Sequence, residues 1–352
     1  MRSFRLFVVL SMLLLLNSCY LMKQGVSLLK YQWRAESIDK MLKKEDLSPD
    51  LREFLLLVKE VRSFAMDTIG LKRNKNYLKY VRVDRDYMVD VVVASRPDTF
   101  DMYKWWFPFF GKFPYKGYFD KDDAEKEAQK LHRKGYEVVV RKADAFSTLG
   151  FFSDPVYSFM IDYGVFSLAS LIIHEQMHAT LFVKNEIELN EEMATFVGNQ
   201  GGLLFLEKKF GRDSDQYRAA VLALEDYEAY IDLLRSLYNE LKTMYGSGIS
   251  REQKLERKEE IINQFRSDVA SNYDSLFRTE NYRKLDRIEI NNASLASKMT
   301  YNLDMSLFYE LYESRGRDLR ATVSALKSLK GVKKEHKKYI RDVLLKEKLV
   351  QD

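Results

Sequence analysis

The sequence predicts a predominantly helical α+β fold. Apolar residues recur at three- and four-residue spacing over long stretches, two short β-branched runs lie in the first half, and only five prolines interrupt 352 residues. From Val26 to about Met66, Leu28, Leu29 and Trp33, then Leu55, Leu56, Val58 and Val61, predict two helices. Val89–Ala94 and Tyr136–Val140 have strand length and strand composition. Between them, Asp122 to Lys134 predicts an amphipathic helix closed by Gly135. Further on, Tyr227, Tyr230, Ile231, Leu234, Leu237, Tyr238, Leu241 and Met244 form one helical stripe, read as a packing seam. Gly246-Ser247-Gly248 breaks it, and Ser250 with Gln253 predicts a capping box on a return helix. The Lys-rich C-terminal helices read as a solvated face. No low-complexity linker or internal repeat is visible. About 330 residues after the leader suit one large domain or two intimate subdomains, and are read as one domain, 19–352. It divides into a helical and β part (19–160), a central helix pair (161–212) and a long helical part (213–352).

The first 18 residues read as a leader. Arg2 and Arg5 precede an apolar run from Leu6 to Leu16, too short to span a bilayer as a mature helix. The following Leu16-Asn17-Ser18-Cys19 resembles a bacterial lipobox, which implies that Cys19 is lipidated and becomes the new N-terminus. Several acyl chains on one residue suffice for stable anchoring. Cys19 is the only cysteine, so an intramolecular disulfide is excluded. Tyr20 in place of Asp implies, by analogy with such lipoproteins, sorting to the outer membrane of a bacterial envelope. Removing residues 1–18 takes away two arginines and lowers the formal net charge from +5 to +3. With lysines interspersed among acids, that charge argues against a nucleic-acid partner. Oligomeric state is not legible.

His174-Glu175-Gln176-Met177-His178 carries the chemistry. It lies within an apolar run, Leu168 to Ile173 before it and Ala179 to Phe182 after it. Residues four apart share a helix face, so both imidazoles can hold one metal ion, and Glu175 can take a proton from a water beside it. Two of the four histidines fall at this spacing. A catalytic zinc site needs a third protein ligand. His132 closes a charged helix and His336 sits among lysines, and both read as solvated surface residues. Asn190-Glu191-Glu192-Met193-Ala194 is the better source. The first helix is expected to end near Val183, with Asn190 capping a second helix. Glu191 and Glu192 point about 100° apart on a helix, and periodicity leaves both open.

The histidine pair followed by Asn-Glu on a second helix resembles the gluzincin arrangement of thermolysin-like peptidases. More narrowly, the chain resembles a family of bacterial predicted aminopeptidases. The matching stretches are Tyr115-Lys116-Gly117-Tyr118-Phe119, Ala145-Phe146-Ser147-Thr148-Leu149-Gly150 with Asp154-Pro155, His174 to His178, Asn190 to Gly198, and Asn291-Asn292-Ala293. The resemblance implies a zincin-like catalytic domain with a small sheet beside the HExxH helix. It implies Zn2+ held by His174, His178 and Glu191, with Glu175 as general base acting on a peptide substrate. Gluzincins often aim a later tyrosine at the oxyanion, which suggests Tyr301, with Tyr157 second. Their substrates usually pair with an edge strand, for which Tyr136 to Ala143 is the candidate. Asp154 is the nearest acid in sequence that could anchor a free α-amine, but Asp-Pro is also a common turn former, and exo- versus endo-cleavage stays open. Two other readings are an inactive metal-binding lipoprotein and a zinc hydrolase acting on a cell-wall amide. The aromatic stretch Tyr103 to Phe110 reads as core or cleft wall, with a membrane-interface role as its rival.

Overall fold

Val89–Ser95, apolar except for Asp90 and Ser95, is buried along its whole length, as befits a strand covered on both faces. In the computed structural model it is the centre of a three-stranded antiparallel sheet, flanked by Tyr115–Tyr118 and Glu137–Ala143. The model describes residues 20, 23–27, 29–107, 111–144, 154–300 and 304–346. Cys19, Tyr301 and the stretch 145–150 therefore lie outside the described residues. These divide into two compact units, one drawn from 1–34, 85–147 and 225–300, the other from 35–84, 148–224 and 301–352.

The first unit is built on that sheet. The helix Lys121–His132 packs Ala124, Ala128 and Leu131 against Val92, Ala94 and Val138. Asp120 caps it through the Asp122 and Asp123 amides, and Gly135, at φ +79°, turns the chain into the next strand. The long helix Asp215–Tyr245 enters this unit at Glu225 and turns at Gly246–Gly248 into Arg251–Leu276. The capping box of Ser250 and Gln253 forms with both reciprocal bonds. Leu234, Leu237, Leu241 and Tyr245 pack on Ile261 and Ile262, so the apolar stripe is a seam between these helices. The Asn-Asn-Ala motif is structural. Fully buried Asn292 donates to the Arg96 and Thr99 carbonyls at 2.9 and 3.0 Å and accepts from the Tyr245 hydroxyl at 2.9 Å. Its own amide donates to Glu137 Oε2 at 2.7 Å. Among the described strands Glu137–Ala143 is an edge, but it belongs to the unit that lacks the HExxH helix.

The second unit holds the helix pair. Its small sheet orders Glu36–Ser37, Lys79–Val81 and Val156–Tyr157. The helix Pro49–Asp67 starts with proline at its first position and buries Leu55, Val58, Val61 and Ala65. The HExxH helix (Val165–Thr180) and the glutamate helix (Ile187–Phe210) pack on each other and on Pro49–Asp67. Three glycines make the close approach possible. A Cβ at Gly198 would stand 2.8 Å from the Ser170 carbonyl oxygen and 3.0 Å from His174 Cβ. At Gly201 it would meet Ile173 and Ile69 at 2.9 Å, and at Gly202 the Phe166 ring at 2.9 Å. The fold is thus mixed α+β and predominantly helical, as the sequence periodicities predict.

Local expectations are corrected here. The HExxH helix ends at Thr180, not near Val183, because Leu181 turns extended. Asn190 caps nothing: the glutamate helix begins three residues earlier, at Ile187. His336 is no solvated residue. It is 6% exposed, lies 3.0 Å by Nε2 from the Val332 carbonyl oxygen and 3.4 Å by Nδ1 from Glu186.

Candidate metal centre

His174 and His178, one turn apart on an apolar helix, turn their Nε2 atoms to within 3.1 Å of each other. Glu191 comes from the second turn of the neighbouring helix. Its two carboxylate oxygens lie 3.7 Å from His174 Nε2 and 3.4 Å from His178 Nε2. Donor atoms of all three residues fall within 4.8 Å of one another. Glu192 departs in another direction. It is 3% exposed and makes a 2.7 Å ion pair with Lys337. Of the two glutamates that periodicity leaves open, Glu191 is therefore the one that faces the histidines.

The connection between the helices explains how Glu191 is delivered. Buried Asn190 receives a hydrogen bond from the Val183 amide at 2.8 Å. Its own amide donates to the Val183 and Glu186 carbonyls at 2.7 and 2.8 Å. The connection at 183 and 186 is thus tied back onto the helix that carries Glu191, and the Val183 N–H and carbonyl find partners where Val183 is buried. Gly198, seven residues after Glu191 and so on nearly the same face, holds that helix against the His174 turn.

Burial sets the protonation states. It pushes His174 down to about 3, with His178 adding to the effect, and His178 down to about 4. Both imidazoles are neutral near pH 7, the form that binds metal. Burial also raises Glu175 to about 7, helped by the charges of Asp154 and Glu191. Asp154 is raised by burial to about 6, and Glu191 is raised by the same cause.

These donors fit a zinc ion. Tetrahedral bonds of about 2.0–2.2 Å to nitrogen and oxygen separate the donor atoms by about 3.3–3.5 Å. The two imidazole nitrogens lie 3.1 Å apart, and each has a different Glu191 oxygen at 3.7 or 3.4 Å, close to that span. Two neutral imidazoles and one carboxylate are also a donor set suited to zinc, with a fourth position left for water or substrate.

One residue that the sequence did not single out is tied to Asp154. Tyr77 is 3% exposed and adopts a left-handed backbone, φ +58°. Its amide donates to the Asp154 carbonyl at 2.6 Å, and Asp154 N–H donates to Asn76 Oδ1 at 3.3 Å. Burial, then the charges of Glu175 and Asp154, push its phenol well up. Its left-handed backbone, at a non-glycine residue, is a feature that no sequence rule reveals. Tyr157 is buried with its ring stacked on Phe159 at 5.7 Å. His132 closes its helix exposed, as expected.

Fold and site together define a helical α+β protein whose central helix pair brings two neutral histidines and a glutamate to one point beside a second, near-neutral glutamate. The chain belongs to the family described as "putative aminopeptidase", whose model matches residues 19–340. That match spans both units and every candidate site residue. No curated protein matches the chain. No solved structure matches it either.

Proposed function

We propose that this protein is a zinc-dependent metallopeptidase, an aminopeptidase by subtype, tethered to the bacterial outer membrane through lipidated Cys19. The observation that carries the reading is the convergence of His174, His178 and Glu191 beside the partly buried Glu175. Zinc held there would supply Lewis acidity toward a water and toward the scissile carbonyl. Glu175, with a pKa of about 7, is balanced to accept a proton on its carboxylate from the attacking water and return it to the leaving amine. The neutral imidazoles of His174 and His178 keep both Nε2 lone pairs available, and Glu191 contributes the negative charge of the donor set. Asp154, a partly buried carboxylate whose charge reaches Glu175, would in this reading hold the substrate's α-ammonium group. Tyr301 is proposed as the oxyanion donor on the family resemblance alone.

The test pairs metal content with cleavage. Wild type and Glu175→Gln should both bind one zinc per chain, and only wild type should hydrolyse peptides. Peptides with a free N-terminus should be cut and their N-acetylated forms spared. Equal cleavage of the two forms would reject the aminopeptidase subtype. Zinc retention without cleavage of a broad peptide panel would favour the inactive lipoprotein reading.

A further inference from the structure

The residue that follows the lipobox cysteine is docked, not free. The Tyr20 ring packs against Phe107 at 5.9 Å and Tyr118 at 5.4 Å, its hydroxyl donates to the Gly117 carbonyl, and the Lys116 ammonium lies 4.3 Å from its ring centre. Phe107 ends the first strand of a two-stranded ribbon, Trp105–Phe107 paired with Gly111–Phe113. The inward residues of the ribbon are accounted for. Trp105 is 6% exposed and donates its indole N–H to Glu127 at 2.9 Å, and Phe107 rests on Phe113. The outward pair is Trp106 opposite Lys112. Residues directly opposite in an antiparallel ladder share a face, and both are exposed, Trp106 by 53%.

A large exposed indole beside a lysine is poorly suited to water alone. It suits a membrane surface, where the ring sits among headgroups and the ammonium meets phosphate. Asp120 and Asp123, at the start of the helix that follows, have their charge offset by Lys23. Connectivity supplies the occupant. An acylated residue 19 is one peptide unit, about 3.8 Å between Cα atoms, from Tyr20, and Tyr20 is fixed against the ribbon. No helix among the described residues is long and apolar enough to cross a membrane; with Cys19 lipidated, its acyl chains supply an anchor at this point. We infer that the outward Trp106–Lys112 face of this ribbon lies on the phospholipid surface and sets how the first unit stands on the membrane. This rests on the reading of Cys19 as the lipidated residue.

The experiment uses the full-length lipidated protein reconstituted in phosphatidylcholine vesicles, with and without brominated phosphatidylcholine as a quencher of indole emission. Mass analysis of the N-terminal peptide first establishes acylation of Cys19. The wild type should be quenched by the brominated lipid. Trp106→Phe should lose most of that quenching, and Trp33→Phe, which alters a second indole 84% exposed in the same unit, should retain it. Acylated protein whose quenching survives Trp106→Phe overturns the ribbon's placement while leaving the tether intact. An unacylated Cys19 overturns the tether and with it the inference, and neither result bears on hydrolysis at the metal centre.

Discussion

Gly198→Ala adds one carbon where two helices meet beside the candidate metal ligands. The new Cβ would stand 2.8 Å from the Ser170 carbonyl oxygen, against the 3.4 Å at which ordinary contact begins, so the helices must separate by about 0.6 Å. A backbone carbonyl cannot rotate aside as a side chain can. Overpacking of this kind costs about 1–3 kcal/mol, while the better helix propensity of alanine offsets about 0.8–1 kcal/mol. Steric strain therefore wins, with a net loss of about 1 kcal/mol in the metal-free protein. The larger effect falls on metal affinity. Coordination tolerates about 0.2 Å in donor distance, and Glu191 rides on the displaced helix, so zinc affinity should fall by roughly 10- to 100-fold. Chelator competition measures the affinity, and thermal melting of metal-free and zinc-loaded protein measures the strain. Gly202→Ala is the control, because the atoms it meets belong to the Phe166 ring and that side chain can shift. If Gly198→Ala binds zinc as wild type does and melts no lower, the close approach does not position Glu191.

Glu175→Gln should change the pH response of the metal-free protein. A carboxyl raised from 4.5 to about 7 keeps its proton in the folded state where the unfolded chain has lost it, so the fold weakens as pH rises from about 4.5 through 7. The amide cannot ionise, so melting should favour the variant by up to about 3 kcal/mol at pH 8 and show no such gain at pH 4; a constant difference would count against the buried charge. Lys337→Met leaves the Glu192 carboxylate buried without its cation and should cost about 1–3 kcal/mol, most of it recovered by the double change with Glu192→Leu in denaturant titrations. Asn190→Ala removes three hydrogen bonds from the helix connection and should lower both stability, by about 1–3 kcal/mol, and zinc affinity; loss of neither would show that the connection is held by other means. Asp154→Asn should reduce kcat/KM on free-amine peptides by about 10-fold or more, the scale of a lost charge-assisted contact, and leave zinc content unchanged. Parallel losses on N-acetylated peptides would remove Asp154 from amine recognition.

What was legible in the sequence follows the range of the interactions involved. The histidine pair is a local repeat, four residues on one helix, and its apolar flanks announce that helix. The choice between Glu191 and Glu192 is not local. It rests on Lys337, 145 residues away, whose position among other lysines gave no sign that it turns inward. His336 was hidden by the same Lys-rich surroundings. Asn190 obeys a sound local rule for helix starts, yet its side chain binds carbonyls at 183 and 186. Gly198, Gly201 and Gly202 carry a helix-propensity cost when read along the chain, and only the neighbouring helix explains them. The β-branched runs predicted their strands but not the unit to which those strands belong, because hydrophobic alternation specifies a buried face and not which element covers it.

The ion pair between Glu192 and Lys337 also has a temporal meaning. A ribosome adds the partner of Glu192 145 residues after Glu192 itself. Until then a carboxylate destined for burial has no counter-charge. A chain grown only as far as the helix pair already carries both histidines, Glu175 and Glu191, while the carboxylate next to Glu191 still waits for its cation. The order of residues along the polymer thus separates the ligand set from the ion pair that neutralises its neighbour.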